Sequence, residues 1–451
     1  MQKQLATDPN AQKVQNTLTQ KKNQLESFKR EVEQYSSENF EKLSDSEKEL
    51  HSRAFQTNDG DAHYHATEEV DFEGTKIEVP KGDILHQFRQ DVANGQLPTV
   101  SWLVAPQYFS DHPSAPMYGA WYVSEILNIL TQNPEVWKKT IFILNYDEND
   151  GYFDHVPPFV APKPGDKDSG VVSSNLEEGL QTEFLTKEQE LASGVKEENA
   201  TEGPVGLGYR VPLIIASPWT RGGWVNSEVC DITSTIQFLE VFLNKKYRKE
   251  IIETNISKWR RAITGNLTSV FRSYNPNEKD GLPDFLDMKQ QIQSIDQAKD
   301  KPLPDGFVAL GEEDIYHIHR GESHPALPKQ EQGTKPSNTL CYELYVHETH
   351  DDGQLELTFE ASKNRFGERA LAGAFNVYDL LETNRFSKSF AVAAGDKFNY
   401  TWRKTDNGAY DVAVHGPNGF YRKLQSKALS EALQVQVSYS DKGDLVLHIE
   451  N

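Results

Sequence analysis

The residues best suited to chemistry are crowded into one stretch, Tyr146-Asp147-Glu148-Asn149-Asp150-Gly151-Tyr152-Phe153-Asp154-His155. Hard divalent cations prefer carboxylate oxygens, and acids this close repel one another unless a cation or a proton offsets the charge. Asp147, Glu148, Asp150, Asp154 and His155 are therefore candidate site residues. His112, within Ser110-Asp111-His112-Pro113, is another. Taken alone, the acids fit cation-assisted chemistry and equally a solvated acidic turn punctuated by Gly151.

The elements around these residues favour the first reading. The acids follow the apolar run Thr140-Ile141-Phe142-Ile143-Leu144, whose aromatic and β-branched residues predict a strand buried on both faces. Residues 99–105 and 211–217 predict two more strands, and residues 118–131 and about 234–243 predict helices between and after them. Alternating strand, loop and helix predicts an α/β fold with a doubly wound, parallel sheet. In such a sheet the His112 loop, the acidic loop and the loop after residue 217 all leave the carboxyl ends of strands, on the edge where ligands bind.

Upstream, Val14, Leu18, Leu25, Phe28, Val32 and Tyr35 recur at helical spacing and predict an amphipathic helix whose apolar stripe packs on its own domain. Lys21 interrupts the seam that a coiled coil would need. Residues 68–79 read as two strands about Gly74, and 84–93 as a helix closed by Gly95. Residues 163–201, rich in Glu, Ser, Gly and Lys without period, read as an irregular, mobile excursion.

After a polar stretch and a short helix over 285–298, Lys301-Pro302-Leu303-Pro304 marks a domain boundary. Beyond it the apolar period changes to two, over 341–347, 354–360, 373–378, 389–393, 397–402 and 410–414, with turns at Asp352-Gly353 and Asn407-Gly408. That is the pattern of an antiparallel β-sandwich. The hairpin over 342–360 is echoed by residues 435–451, as the start of a second repeat. The division expected is residues 1–300, 301–427 and 428–451, with 305–425 folding as a unit and protease cutting first within 163–201 and 280–305. His317 and His319 share a face if they lie on a strand, although no acid constellation accompanies them.

Composition narrows the function class. The chain has 451 residues, enough for two or three domains. Its formal net charge of −21 repels nucleic acid at long range. Two cysteines, Cys230 and Cys341, imply plain thiols and no disulfide framework. The first thirty residues are polar, without an export signal, and no run approaches the roughly 18 apolar residues of a spanning helix.

With these motifs placed, the chain resembles the bacterial phospholipase C family, the non-haemolytic and haemolytic phosphatidylcholine-type enzymes, which are similar in turn to acid phosphatases. The matching stretches include 98–106, Ser110-Asp111-His112-Pro113, Tyr118-Gly119-Ala120-Trp121-Tyr122, Asn133-Pro134-Glu135-Val136-Trp137, and 146–155. They continue with Gly206-Leu207-Gly208-Tyr209-Arg210-Val211-Pro212, Trp259-Arg260-Arg261 and, in the β-module, Val414-His415-Gly416-Pro417-Asn418-Gly419-Phe420. The resemblance implies an alkaline-phosphatase-like core with a bound divalent metal ion and a hydroxyl nucleophile. It places Asp147 and Glu148 as metal ligands and His112 facing the phosphate, with Asp150 and His155 completing the motif in catalytic roles.

Two departures accompany it. Ile232 stands where members usually carry a histidine, and nothing before Gln87 resembles the N-terminal half that in the family bears the nucleophile, the other ligands and the export signal. The expectation is thus the C-terminal portion of a secreted or periplasmic phospholipase C, inactive alone, that acts on phosphatidylcholine-type lipids at a membrane surface. Diacylglycerol and a phosphorylated headgroup would be its products. The alternatives are an acid phosphatase-like phosphomonoesterase, or a non-catalytic remnant whose sandwich binds lipid or protein.

Overall fold

A computed structural model describes residues 9–54, 58, 60–72, 74–112, 118–149, 151–152, 154–277, 293, 296–298, 301–302, 305–325, 327, 333–351, 354–382, 387–403, 405, 408–427, 434–440 and 442–450. The chain divides into two compact units, Met1–Asn133 with Asp287–Pro302, and Pro134–Leu286 with Leu303–Asn451.

In the first unit, helices Pro9–Gln34, Ser37–Glu41 and Asp45–Ala54 precede an antiparallel hairpin, β1 (Thr67–Phe72) and β2 (Thr75–Pro80), turned at Gly74 with φ 86°. Helices His86–Ala93 and Tyr118–Thr131 follow and pack together. Their inward residues, Phe88 and Val92 on one and Tyr122, Ile126 and Ile129 on the other, are buried at helical spacing. Arg89 joins the two helices, reaching Asp83 and Glu125 at 2.8 Å each. The helix expected near the N-terminus forms, but Leu18, Leu25, Phe28 and Val32 are exposed, which corrects the expectation that its stripe packs on the domain. Amphipathic spacing specifies a face and carries no information about what covers it.

Residues 99–105 form no strand among the described residues, and Trp102 and Val104 are 67% and 77% exposed. The other two expected strands do form in the second unit, as β3 (Phe142–Asn145) and β6 (Leu213–Ala216), with a short antiparallel pair, β4 (Phe184–Leu185) and β5 (Gly203–Pro204), between them in the chain; β3 and β6 pair antiparallel, Phe142 with Ala216 and Asn145 with Leu213. The parallel, doubly wound sheet is therefore corrected to a mixed α/β arrangement with a two-stranded antiparallel sheet here. The shared edge of three ligand loops goes with it, because the loops after β3 and β6 leave opposite ends of the pair. Nor is the first of these strands buried on both faces: Phe142, Ile143 and Leu144 are half-buried and Asn145 is exposed, so a short apolar run predicts a strand and leaves its direction and its cover open.

The larger core of this unit is a sandwich. One sheet has the order β10-β9-β12-β13 and the other β11-β8-β7, every neighbour antiparallel. Their ranges are β7 Leu344–Asp351, β8 Gln354–Ala361, β9 Gly373–Asp379, β10 Ser387–Val392, β11 Lys397–Trp402, β12 Tyr410–His415 and β13 Tyr421–Ser426. Alternation places Leu355, Leu357 and Phe359 of β8 inward against Phe375, Val377, Val412 and Val414. Phe359 and Phe390 stack across the sheets with centroids 4.4 Å apart. The expected strands are present, β13 is an addition, and the Asp352-Gly353 turn lies outside the described residues. The echo at the C-terminus is a hairpin, β14 (Gln434–Tyr439) with β15 (Leu445–Glu450).

The outer face of β9 and β10 is also covered. Ala374, Ala391 and Ala393 are small enough for Val172, Leu176, Leu180, Trp259 and Ile263 to pack closely there. Residues 169–173 run beside β10, with Ser389 and Ala391 donating to the carbonyls of Ser169 and Val171 at 2.9 and 3.2 Å. Gly170, at φ 136°, is required there, since a Cβ would lie 1.8 Å from the Ser389 carbonyl oxygen. The stretch 163–201 is thus no irregular excursion. It carries a 3-10 segment Ser174–Thr182 and a helix Lys187–Ser193, whose capping box is Thr186 with Gln189. Helix Lys258–Ile263 brings the fully buried Trp259 to the same core. Trp259→Phe is expected to lower unfolding stability by about 1–2 kcal/mol in a urea titration, because the smaller ring leaves space that packed neighbours fill only in part.

His317 and His319 lie on the helix Glu312–His319, where positions two apart point to different faces, so the shared strand face is corrected. His317 pairs with Glu322 at 2.8 Å and His324 with Asp314 at 3.3 Å. Most of the helix expected over 285–298 lies outside the described residues.

Candidate active site

The acidic loop grows directly out of β3. Tyr146 N–H donates to the Pro212 carbonyl at 3.3 Å, which continues the β3–β6 ladder by one bond before the chain turns. Asp147 and Glu148 follow, both exposed. Asn149 then organises a turn: its amide donates to the Tyr152 carbonyl, and its side-chain oxygen accepts from Gly151 N–H at 3.2 Å. Gly151 holds φ 77°, the left-handed backbone that glycine adopts without penalty. Asp150 and Phe153 lie outside the described residues.

Asp154 fastens the far end of the loop. Arg210 donates to both of its oxygens, Nε to Oδ2 at 2.5 Å and Nη2 to Oδ1 at 2.9 Å, and Val156 N–H adds a bond at 3.3 Å. Such a fork fixes direction as well as distance. His155 Nδ1 lies 3.0 Å from Asp154 Oδ1, with its ring otherwise in solvent. The Arg210 hydrogen bonds hold the Asp154 carboxyl far below the usual carboxylate range. A depressed folded value means that the pair contributes fully above the unfolded value of about 3.9 and that the contribution fades as pH falls through it. Arg210→Ala is expected to return the Asp154 titration, followed by carboxyl NMR, to ordinary values and to speed amide exchange over 147–156. Because Arg210 is largely exposed, the loss of global stability should stay below about 1 kcal/mol.

Behind this loop lies a buried charge network. Arg260 donates to Glu183 through Nε at 2.9 Å and Nη2 at 2.6 Å, and to Asp231 through Nη1 at 2.5 Å. The three side chains are 12%, 4% and 1% exposed. Nη2 also donates to the Gly206 carbonyl at 2.9 Å, so the segment that ends in Arg210 is tied to the same cation. Asp231 also accepts from Thr233 N–H at 2.9 Å, at the start of helix Thr233–Tyr247, while Ile232 points outward. Cys230 and Cys341 are free thiols, and burial, with Glu228 next, pushes Cys230 up to about 12.

His112 belongs to the first unit. It is exposed, directly after Asp111, which has φ 59° and accepts from Gly119 N–H at 2.8 Å at the start of helix Tyr118–Thr131. Ser110 Oγ donates to the Gln107 carbonyl at 2.9 Å. Of the residues singled out from sequence, Asp147, Glu148, Asp154 and His155 share one loop of the second unit. The roles of Arg210 and Arg260 were not anticipated. Both stood in quoted motifs, but their carboxylate partners lie 56 and 77 residues away, at separations no periodicity reports.

The donor chemistry of the loop suits a hard cation: two adjacent carboxylates with no hydrogen-bond or ion-pair partner among the described residues. They supply two donors only, and among the described residues no group of three or more His, Cys, Asp or Glu could hold an ion.

Comparison with known proteins agrees with the motifs. Residues 2–244 match the phosphoesterase family, so the likeness reaches well upstream of Gln87, where the motifs alone placed its start, and residues 336–425 match the bacterial phospholipase C C-terminal domain. The chain is 39% identical over 341 residues to a non-hemolytic phospholipase C of Pseudomonas aeruginosa, covering 75% of this chain and 44% of that protein. It is 34% identical over 389 residues to a non-hemolytic phospholipase C of Burkholderia pseudomallei, covering 84% and 49%. To a hemolytic phospholipase C of Pseudomonas aeruginosa it is 36% identical over 386 residues, covering 81% and 48%. The chain spans about half the length of these relatives. With more than half of its residues inside the first match, carrying an exposed carboxylate pair on a pinned loop, the chain belongs to the phosphoesterase family.

Proposed function

We propose that the chain serves as a phospholipase C, hydrolysing the phosphodiester of phosphatidylcholine-type phospholipids at a membrane surface to diacylglycerol and a phosphorylated headgroup. The reading is carried by one conjunction: a phosphoesterase stretch bearing the Asp147–Glu148 loop, followed in the same chain by a bacterial phospholipase C C-terminal domain. Relatives that bear the name phospholipase C support it. The reading includes an alkaline-phosphatase-like core, the division into residues 1–300, 301–427 and 428–451, and secretion or periplasmic residence. No helix among the described residues is long and apolar enough to cross a membrane.

In this proposal Asp147 and Glu148 are two ligands of a divalent cation, which when bound polarises the phosphoryl oxygens. Asn149 and the Arg210–Asp154 fork hold the loop so that both carboxylates present outward without rearrangement. His112 hydrogen-bonds the phosphoryl group or protonates the leaving alkoxide, and Asp150 and His155 assist proton movement beside the loop.

The test compares release from a chromogenic phosphocholine diester with release from a chromogenic phosphate monoester. Diester preference is expected; monoester preference would favour the phosphatase reading, and turnover of neither would favour a binding role. Assaying the 451 residues alone and joined to the unmatched portion of a relative locates the nucleophile. Turnover by the chain alone would place it within these residues, with Ser110 and Ser114 the candidates.

A further inference from the structure

Strands β9, β12 and β13 turn one face into the sandwich core and the other outward, and the outward face is divided. Its β9–β10 half lies under Val172, Leu176, Leu180 and Trp259. That cover ends at Asn376, whose Nδ2 donates to the Pro158 carbonyl at 3.3 Å, three residues past His155 on the run that leaves the acidic loop. Beyond this bond the face carries rings: Tyr378 of β9, His415 of β12 and Tyr421 of β13. His415 stands opposite Tyr421 in one register and opposite Asn376 in the other, and Tyr378 stands opposite Ala413, the next outward residue of β12. The His415 ring centre lies 5.7 Å from that of Tyr378, at 82° between planes, and 4.9 Å from that of Tyr421, at 52°. Tyr378 is half-buried, whereas His415 and Tyr421 are exposed. The segment Val414–Phe420, conspicuous in the sequence and unused by the proposed chemistry, sets this pair in place. Asn418 at φ 54° and Gly419 at φ 75° turn the chain, and Gly416 N–H donates to the Phe420 carbonyl at 2.9 Å. Phe420 then packs edge-on against the core residue Phe375, with centroids 5.5 Å apart. A turn pinned to the core in this way holds the rings of His415 and Tyr421 together before any ligand arrives.

Charge narrows the occupant. The charged pair on the same outward face cancels itself: Lys423 Nζ lies 3.4 Å from Asp411 Oδ1, and Gln425 donates to Asp411 Oδ2 at 2.9 Å. What the patch offers is therefore ring faces, which carry negative potential without a formal charge. A quaternary ammonium suits them, because it has no N–H to satisfy and its diffuse charge is attracted to aromatic faces within about 6 Å. Tyrosines at the edge of water also fit the headgroup layer of a bilayer, where amphipathic rings collect. A zwitterionic surface is the compatible one, since a net charge of −21 repels an anionic surface. We propose that Tyr378, His415 and Tyr421 dock the chain on phosphatidylcholine bilayers by holding the trimethylammonium of a headgroup against their rings. The choice of lipid rests on the phospholipase reading. The patch itself belongs to the sandwich, and the Asn376–Pro158 bond sets it alongside the run that follows the acidic loop.

The test is sedimentation of the full chain with sucrose-loaded vesicles, with a chelator present so that binding is read apart from turnover. Phosphatidylcholine vesicles are expected to bind more tightly than vesicles of phosphatidylethanolamine, whose primary ammonium holds its water, or of phosphatidylglycerol. Tyr421→Leu keeps apolar surface and removes the ring, and should weaken phosphatidylcholine binding about three- to fivefold while leaving phosphatidylethanolamine binding unchanged. His415→Leu should act in the same sense. Tyr421→Phe keeps the ring and should bind as the parent does. Far-ultraviolet circular dichroism and urea midpoints establish that each variant is folded. The proposal is overturned by equal affinity for phosphatidylcholine and phosphatidylethanolamine, or by Leu and Phe at position 421 behaving alike. Free phosphocholine that saturates the His415 and Tyr421 ring-proton shifts at micromolar concentration would overturn the bilayer as the source of the headgroup. Headgroup-selective binding by a chain that turns over no lipid would support the patch and count against the phospholipase reading alone. Turnover of a dispersed diester without vesicle binding would do the reverse.

Discussion

Asp147→Asn and Glu148→Gln are each expected to reduce phosphocholine diester turnover by about 100-fold or more, in whichever form of the protein turns the diester over. Both substitutions keep size and hydrogen-bonding capacity and remove only the negative charge, so the loop should stay folded. Loss of one fixed charge that stabilises a transition state costs on the order of 10²–10³ in rate, and a cation left with one carboxylate donor also binds more weakly. Elemental analysis of the purified protein should show divalent metal content falling with activity. Because the two side chains are exposed and make no bonds among the described residues, denaturation midpoints should stay close to the parent value. Turnover and metal content both unchanged would return the acids to the role of a solvated turn. Loss of turnover with metal retained would assign them a role in substrate contact.

The second large effect belongs to Arg260. Arg260→Ala leaves Glu183 and Asp231, nearly inaccessible to water, without the cation that offsets them, and removes the bond to the Gly206 carbonyl. Breaking a buried pair in this way typically costs about 3–5 kcal/mol, a large share of the 5–15 kcal/mol by which domains are usually stable. The measurable result is a lower urea midpoint at neutral pH. Partial recovery is expected when Glu183→Gln is added, since one uncompensated charge is then gone. Absence of any recovery would indicate that packing of the guanidinium stem, rather than charge, dominates the loss. Through Gly206 the substitution should also reach Arg210, so faster amide exchange over 206–210 is expected to accompany it.

The sequence by itself determined the parts of this protein that are written locally. The apolar run at residues 140–144 had to become a strand, the acids after it had to form a polar turn, and Gly151 had to be where the backbone turns left-handed. Alternation with a period of two from residue 344 onward determined which side chains of each sandwich strand point inward, because a strand's faces follow from nothing else. Segments that read less regularly misled: in residues 163–201 the buried positions Val172, Leu176 and Leu180 are spread among charged residues, and only their meeting with Trp259 and the alanines of β9 and β10 makes them core. Tertiary structure alone decided that β3 and β6 run antiparallel, since a four-residue apolar strand is the same pattern in either direction. It alone decided that Arg210 clasps Asp154 and that Arg260 joins Glu183 to Asp231. Those contacts depend on where the chain returns after dozens of residues, and a charged side chain carries no mark of the partner it will find.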